Sequence, residues 1–290
     1  MTTADAYLDP TRKHDFVMLF DVKDGNPNGD PDAGGTPRVD PETGEGLVTD
    51  VALKRKIRNV VSLVKEGVPG YDIYVEAGVS LNSQHERAYT ELDLDPKDNA
   101  SVGRAQQWMC QTFFDVRTFG AVMSTGTKKA GRVQGPVQLT FARSVAPVFT
   151  QEHGITRVTQ TRTADIEGGQ TTEMGSKHTV PYGLYRAHGH FSAPLAAKTG
   201  VTSDDLATLW RAITLMFEHD RASTRGEMAL RRLYVFTHGD AFGTVPAHSL
   251  FDLVTVVPNT HGPARNHQDF TIKIEEDGVP DGVTLTRIVE

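Results

Sequence analysis

Only one cysteine, Cys110, stands in this chain of 290 residues, so an intrachain disulfide is impossible and a zinc site built from cysteines is excluded. Its neighbours Trp108, Met109 and Phe113 are apolar, which reads as a buried structural thiol. Long apolar runs are missing as well. No stretch reaches the length of a membrane span, and Phe16–Phe20 (FVMLF) is short and flanked by Asp15 and Asp21, unlike a signal-peptide core. A soluble cytoplasmic protein is expected. Basic residues are the minority: 30 Lys and Arg stand against 37 Asp and Glu, net −7, which argues against a histone-like or polybasic binder. No Ser-His-Asp or Cys-His arrangement can be assembled from spacing, and neither a metal nor a cofactor is expected.

The mean charge conceals an asymmetry. Acid collects at Glu91–Asp98 and Glu275–Asp281, base at Lys54–Arg58 and Lys128–Arg132. Nucleic acid responds to local patches, so an acidic average leaves room for a nucleic-acid groove on a surface that otherwise repels it. The most informative stretch is Asp24–Arg58, DGNPNGDPDAGGTPRVDPETGEGLVTDVALKRKIR. Its first part is dense in turn formers and poor in apolar residues, and it is too long to be a mere connection. The second part is a helix, Asp50–Lys65, with Thr49 or Asp50 as N-cap. On a helical wheel Leu53, Ile57, Val60, Val61 and Val64 share one side. Lys54, Arg55, Arg58 and Lys65 gather on the other, with Lys56 at the boundary. Two readings fit that basic side: a solvated surface, or a surface for a polyanion.

Further along, residues 1–13 read as a polar tail and Asp15–Val22 as a strand, with a short strand at Ile73–Val75. Val102–Phe114 reads as helical, and Val137–Val145 as a strand with Leu139, Phe141 and Val145 on one face. From Pro147 to His178 the chain is polar and Thr-rich, with Gly168-Gly169 in its middle, as in a protruding hairpin. Arg157, Arg162 and Lys177 supply charge on it. Tyr182–Phe191 is a strand. Ser203–Glu218 is a helix capped by Ser203, with Asp204 and Asp205 favourable to its dipole and a core stripe from Leu206 to Met216. Leu230–Thr237, Leu250–Val257 and Phe270–Ile274 complete a sheet. This order is compatible with a ferredoxin-like, RRM-type α+β core. Leu233–Phe236 matches part of an RRM aromatic motif without its glycines, so base stacking on the sheet is not supported.

Several local motifs fall short of a function. Asp24–Asp30 matches the front of a calcium loop, but the twelfth position is Gly35 where a bidentate Glu is needed. Pro27, Pro31 and the upstream strand also contradict an EF-hand, which favours Asn and Asp shaping their own turns. Ser124–Lys129 hints at a phosphate loop, yet the spacing to Gly120 is wrong and no Lys-Ser/Thr pair follows. Lys128, Lys129 and Arg132 fit a phosphate-contact patch or a solvated loop. His188 and His190 would share a strand face without a Cys or carboxylate at ligand spacing. His219 reads as ending its helix in a favourable dipole position.

Taken together, NPNGDPD (Asn26–Asp32), TPRVDPETGEGLVTDVALKRKIRNVV (Thr36–Val61), FFDVRTFGAVMS (Phe113–Ser124), GPVQLTFARSVAPV (Gly135–Val148), VPYGLYRAHGHF (Val180–Phe191) and DRASTRGEMALRRLYVFTHGDAFGTVPAHSLF (Asp220–Phe251) resemble the Cas-seven family. These are CRISPR RNA-binding backbone subunits of type I Cascade complexes, and the similarity is greatest to the subtype I-C (Dvulg) branch. The resemblance implies an α+β fold with a modified RRM palm (14–65, 135–148, 180–275), a helical insertion (76–124) and a thumb hairpin (149–179). It implies that the loop after the first strand lies beside the crRNA, making Asn26, Asn28 and Arg38 candidate contacts. Lys54, Arg55, Lys56, Arg58, Lys128, Lys129, Arg132, Arg143, Arg157, Arg162 and Lys177 join them. It also implies a thumb that splays out a nucleotide at regular intervals, with Ile166 or Met174 as wedge. The implied partners are crRNA, target DNA through the crRNA, other copies of the chain, and the crRNA-processing, large PAM-reading and small subunits, with no membrane. Type III relatives use an aspartate in the loop after the first strand. A metal-dependent ribonuclease built on Asp30, Asp32 or Asp40 is therefore the rival, and a calcium-binding module a third alternative.

Overall fold

A strand with apolar residues at nearly every position must be covered on both faces, and His14–Gly25 is such a strand. Phe16, Met18, Phe20 and Val22 point to one side of it, Val17 and Leu19 to the other. The computed structural model describes residues 3–168 and 172–290 and puts this strand inside an antiparallel sheet, in a mixed α/β architecture. Across the sheet the order is Val283–Val289, Glu227–His238, His14–Gly25, Glu173–Phe191, Ala142–Pro147, Glu45–Val48. The register pairs His14 with Phe191 and Thr237, and Lys23 with Tyr182 and Glu227.

One face carries the helices Asp50–Val64 and Ser203–Leu215, whose apolar stripes meet Phe16 and Phe20 in the main core. Phe16 meets Trp210 edge-on at 5.1 Å. Gly189 opposite it is required, because a Cβ there would fall 2.0 Å from the Phe16 ring. The other face is covered by the short helix Ala247–Phe251 and the hairpin Val254–Pro258/Phe270–Ile274, over Tyr182, Leu184, Tyr234 and Phe236. A satellite core around Tyr74, Tyr89, Met109 and Phe113 holds the helices Leu81–Glu91 and Asn99–Thr112 and the hairpin Gly120–Met123/Gly131–Gln134. No helix among the described residues is long and apolar enough to cross a membrane.

Several expectations need correction. The N-terminal tail is folded from residue 3 on: Thr3–Leu8 is a 3-10 helix whose Tyr7 carbonyl accepts from the Trp210 indole at 3.0 Å; Met1 and Thr2 lie outside the described residues, as does Gly169 of the hairpin. The expected strand Val137–Val145 breaks into Val137–Leu139 and Ala142–Pro147, leaving Phe141 52% exposed between them. Ile73 and Tyr74 are buried, but only a single bridge, Asp72 to Phe113, forms there. Leu250–Val257 is part helix, part strand, and its strand pairs with Phe270–Ile274 in a separate sheet. One edge of the central sheet is instead Val283–Val289, paired with Glu227–His238. The second long helix is capped by Thr202, in a reciprocal box with Asp205, and ends at Leu215; His219 therefore sits past the helix end.

His14 gives the fold a titratable element. Its Nε2–H donates to the Asp9 carbonyl at 2.9 Å, so Nδ1 accepts from the Thr237 hydroxyl at 3.0 Å and the ring is satisfied when neutral. Burial lowers its pKa from 6.5 to about 4. Between those values the unfolded chain binds a proton that the folded protein refuses, so stability falls as pH falls from 6.5 towards 4. His188, also lowered to about 4 by burial, adds with the same sign. Urea unfolding should show a loss on the order of 3 kcal/mol from fully buried His14 across that window, and a smaller one from His188, which is only partly buried. His14→Gln should remove part of the slope, and a slope that His14→Gln leaves intact would refute the assignment.

Candidate nucleic-acid interface

The Asn- and Asp-rich loop is built by its own side chains. Asn26 Nδ2 donates to the Gly35 carbonyl at 2.7 Å, and Asn28 Oδ1 accepts from the Thr49 amide at 2.9 Å. Thr49 in turn caps the helix Asp50–Val64 by accepting from the Ala52 amide at 3.2 Å. Asp30 accepts from the Asp32 amide and pairs with Arg38 at 3.2 Å. Asp40 accepts from Glu42 and pairs with Arg143 at 2.9 Å; that guanidinium holds its carboxyl below the ordinary range. Turn-shaping, the reading the sequence favoured, accounts for these residues. The loop is thereby a rigid lip beside the helix N-terminus.

The basic side of that helix is not a free surface. Its apolar stripe packs as the spacing requires, with Leu53, Ile57, Val60 and Val61 buried. The opposite side is packed too. Arg58 Nε donates to Asp115 at 2.7 Å, and Arg55 donates to the Val75 carbonyl at 2.7 Å. Lys56 is buried against Asp220, which also takes Arg225. Lys65 lies 4.3 Å over the Tyr71 ring, and Lys54 reaches Asp50 and Gln138 from the margin. The expectation that Lys54, Arg55, Arg58 and Lys65 form one open basic face is corrected: the satellite core closes over it. Asp115, within the apolar run FFDVRTF, was the signal, since a charge amid buried aromatics needs a buried partner.

Exposed cations without an ion pair among the described residues are scattered over the surface, Lys97, Arg104, Lys198, Arg211, Arg265 and Lys273 among them; those the sequence singled out lie on two projections. The hairpin loop after Met123 is pinned by its backbone: the Tyr89 hydroxyl donates to the Lys129 carbonyl and Gln106 to the Arg132 carbonyl, both at 2.7 Å. The side chains of Lys129 and Arg132 are exposed, and Lys128 stands 3.9 Å from Glu86. The second projection is the two-stranded ribbon Gln151–Arg157/Glu173–Thr179, with the helix Thr163–Glu167 at its tip. Every residue of its first strand is exposed. Arg157 is spent on Glu173 and Thr161, whereas Arg162 and Lys177 form no ion pair among the described residues. Ile166 is 57% and Met174 81% exposed on this ribbon.

His188 and His190 share a face, as their spacing requires. His188 stacks on Phe251 at 4.1 Å, while His190 Nδ1 bonds Asp15 at 2.6 Å. Asp15, which the sequence reading left unassigned, is fully buried and also engages His238 Nε2 at 2.9 Å and Lys13. Burial would raise its pKa, but the bonds from His190, His238 and Lys13 hold it well below the carboxylate range. Among the described residues no group of three or more His, Cys, Asp or Glu is placed to hold a metal ion. Burial pushes the Cys110 thiol up to about 11, consistent with an inert core residue.

The model of the family described as CRISPR-associated protein Cas7 matches residues 12–275. A CRISPR-associated protein Cas7 of Haloferax volcanii is 25% identical over 291 residues, covering 91% of this chain and 81% of the relative. A chain of a solved CRISPR RNA-guided surveillance complex in a pre-nicking state superposes with a TM-score of 0.49 at 17% identity, covering 77% of this chain and 75% of the other. Another, from a CRISPR RNA-guided surveillance complex, gives 0.45 at 13% identity, with 77% and 68% covered.

Internal and open cations are separable by experiment. Asp115→Asn leaves Arg58 without its counter-charge and should cost about 3–5 kcal/mol in urea unfolding. Lys128→Ala, Lys129→Ala and Arg132→Ala should each stay within about 0.5 kcal/mol of the parent. Equal effects from the two groups would contradict the assignment of Arg58 to the interior.

Proposed function

The chain belongs to the Cas7 family of CRISPR-associated proteins, and on that premise we propose that it is a crRNA-binding backbone subunit of a type I-C Cascade interference complex. The observation that carries this is the extent of the family match, residues 12–275, which takes in the loop after the first strand, the helical layer and the projecting ribbon. On this reading the central sheet is a modified RRM palm and the ribbon 149–179 is the thumb. Ile166 or Met174, both apolar and exposed near its end, would serve as the wedge that splays a nucleotide. The subunit acts without catalysing a reaction. It holds RNA phosphates and leaves bases free to pair with target DNA, so specificity resides in base pairing. A head-to-tail contact that does not close would propagate copies along the RNA. The remaining partners are the crRNA-processing, large PAM-reading and small subunits, in the prokaryotic cytoplasm.

Phosphate contacts are assigned first to Lys128, Lys129, Arg132, Arg162 and Lys177, whose charges are free of ion pairs closer than 3.9 Å among the described residues. Asn26, Asn28 and Arg38 form the lip past which the RNA would run. Arg55, Lys56 and Arg58 serve RNA binding by fixing the helix. Arg143, paired with Asp40 and Glu45, needs its carboxylates displaced to contact RNA. No geometry favours the rival ribonuclease: Asp30 caps a turn by accepting from the Asp32 amide and pairs with Arg38, Asp40 holds Arg143, and no group of three or more His, Cys, Asp or Glu among the described residues is placed to hold a metal ion.

Co-expression with a CRISPR array and the other subunits, followed by light scattering with absorbance, should give a large ribonucleoprotein of defined stoichiometry. A nucleic-acid-free monomer under those conditions would overturn the reading. Substituting Lys128, Lys129 and Arg132 together should reduce the log–log salt dependence of RNA binding by about one unit per lost contact; an unchanged slope would place the RNA elsewhere.

A further inference from the structure

Two features at opposite ends of the central sheet have no part in the RNA contacts above. The first is Phe242, 84% exposed. A single exposed aromatic is ordinary, but this one sits on a pinned turn. Asp240 Oδ1 accepts from the amides of Phe242 and Gly243, both at 2.7 Å, and the Lys13 amide donates to the Asp240 carbonyl at 3.0 Å. Gly243 has a φ of +94°, and the Thr244 amide donates to His238 Nδ1 at 3.1 Å. The ring is thus held out in water on a backbone with little freedom left to lose on binding. Its flank is acidic: Asp240 is kept ionised by the two amides it accepts, and the turn holding exposed Asp281 adjoins Gly239.

The second feature is an apolar cavity of about 270 Å³ at the base of the ribbon, lined by Pro147, Tyr182, Pro263 and Phe270, with His261 and Arg265 among its lining residues. Proline and aromatic walls of that size suit one aromatic side chain. The exposed Arg265 guanidinium forms no ion pair among the described residues, while the nearby Asp269 carboxylate is taken up by the Arg265 and Asn266 amides at 2.7 and 3.1 Å, so the rim offers a free cation where the Phe242 flank offers carboxylates. Lys13, beside the Phe242 turn, and Lys23, paired with Tyr182 of the cavity, are ten residues apart along the first strand and its lead-in. At a strand rise of about 3.3 Å the two features lie roughly 30 Å apart.

We propose that a second copy of this chain docks head to tail by inserting its Phe242 into the Pro147–Tyr182–Phe270 cavity, with Asp240 and Asp281 facing His261 and Arg265. Knob and hole are different surfaces at opposite ends, so the contact is heterologous and each copy leaves one of each free for the next. The inference rests on the backbone reading and names the surface through which copies meet.

The test uses the full chain, with RNA, carrying Ala241→Cys beside the retained Phe242 together with Ala264→Cys at the cavity wall, treated with a short bismaleimide; Cys110 is buried and unreactive. A ladder of dimers, trimers and higher species from the double variant, and no ladder from either single variant, is expected. Phe242→Glu should cut the assembled fraction roughly tenfold or more while the melting temperature holds. Arg265→Glu should weaken assembly in a salt-dependent way, with recovery in Arg265→Glu/Asp281→Arg. Absence of a ladder with Phe242→Glu assembling like the parent overturns the proposal. RNA content, measured by absorbance on the same samples, scores the backbone reading separately: RNA-loaded assemblies without the ladder sink this contact alone.

Discussion

The contact between Arg58 and Asp115 determines what the rest of the surface can offer. Asp115 accepts from Arg58 at 2.7 Å and from the amides of Tyr74 and Val75 at 2.8 and 3.1 Å. A carboxylate so enclosed would be costly without donors, and a guanidinium equally so without an acceptor. Two residues on, Arg117 grips Asp205 through two nitrogens at 2.6 and 3.0 Å and donates to the Gly70 carbonyl. Both clamps belong to the short helix Phe114–Phe119, every residue of which is buried. They lock the satellite core to both long helices of the main layer. The basic run Lys54–Arg58 is thus chiefly an internal joint.

This explains where the sequence could be read and where it could not. The stripe Leu53–Val61 was legible because apolar spacing at helical period reports burial directly. The cap, narrowed to Thr49 or Asp50, the buried Cys110 and the exposed ribbon were legible from local features as well. The fate of Arg58 was not, because its partner is 57 residues away and only the fold brings them together. Likewise, alternation continues through Leu139 and Phe141, so period alone could not reveal the break that leaves Phe141 outside. Val283–Val289 carries no fully buried residue, and its role as a sheet edge comes from pairing with Glu227–His238 rather than from its own pattern.

Closure of the sheet on both faces has a functional consequence. Tyr234 and Phe236, which on an open sheet could stack bases, lie beneath the segment 247–274. The sequence argued against stacking from missing glycines; the fold removes the surface itself. The sheet therefore offers no open face for stacking, and the exposed cations without a carboxylate partner are dispersed over loops, helices and the ribbon rather than gathered in one groove.

That dispersion, on a chain of net charge −7, bears on how binding must work. If the proposed phosphate contacts are made, a handful of them would give weak, strongly salt-dependent binding to one copy. Copies held side by side convert the later contacts into intramolecular ones, raising overall affinity by orders of magnitude without any new contact. On the proposed reading, weak single-copy binding and repeated assembly would be two sides of one constraint: the basic helix is committed to holding the fold, and affinity would come from repetition.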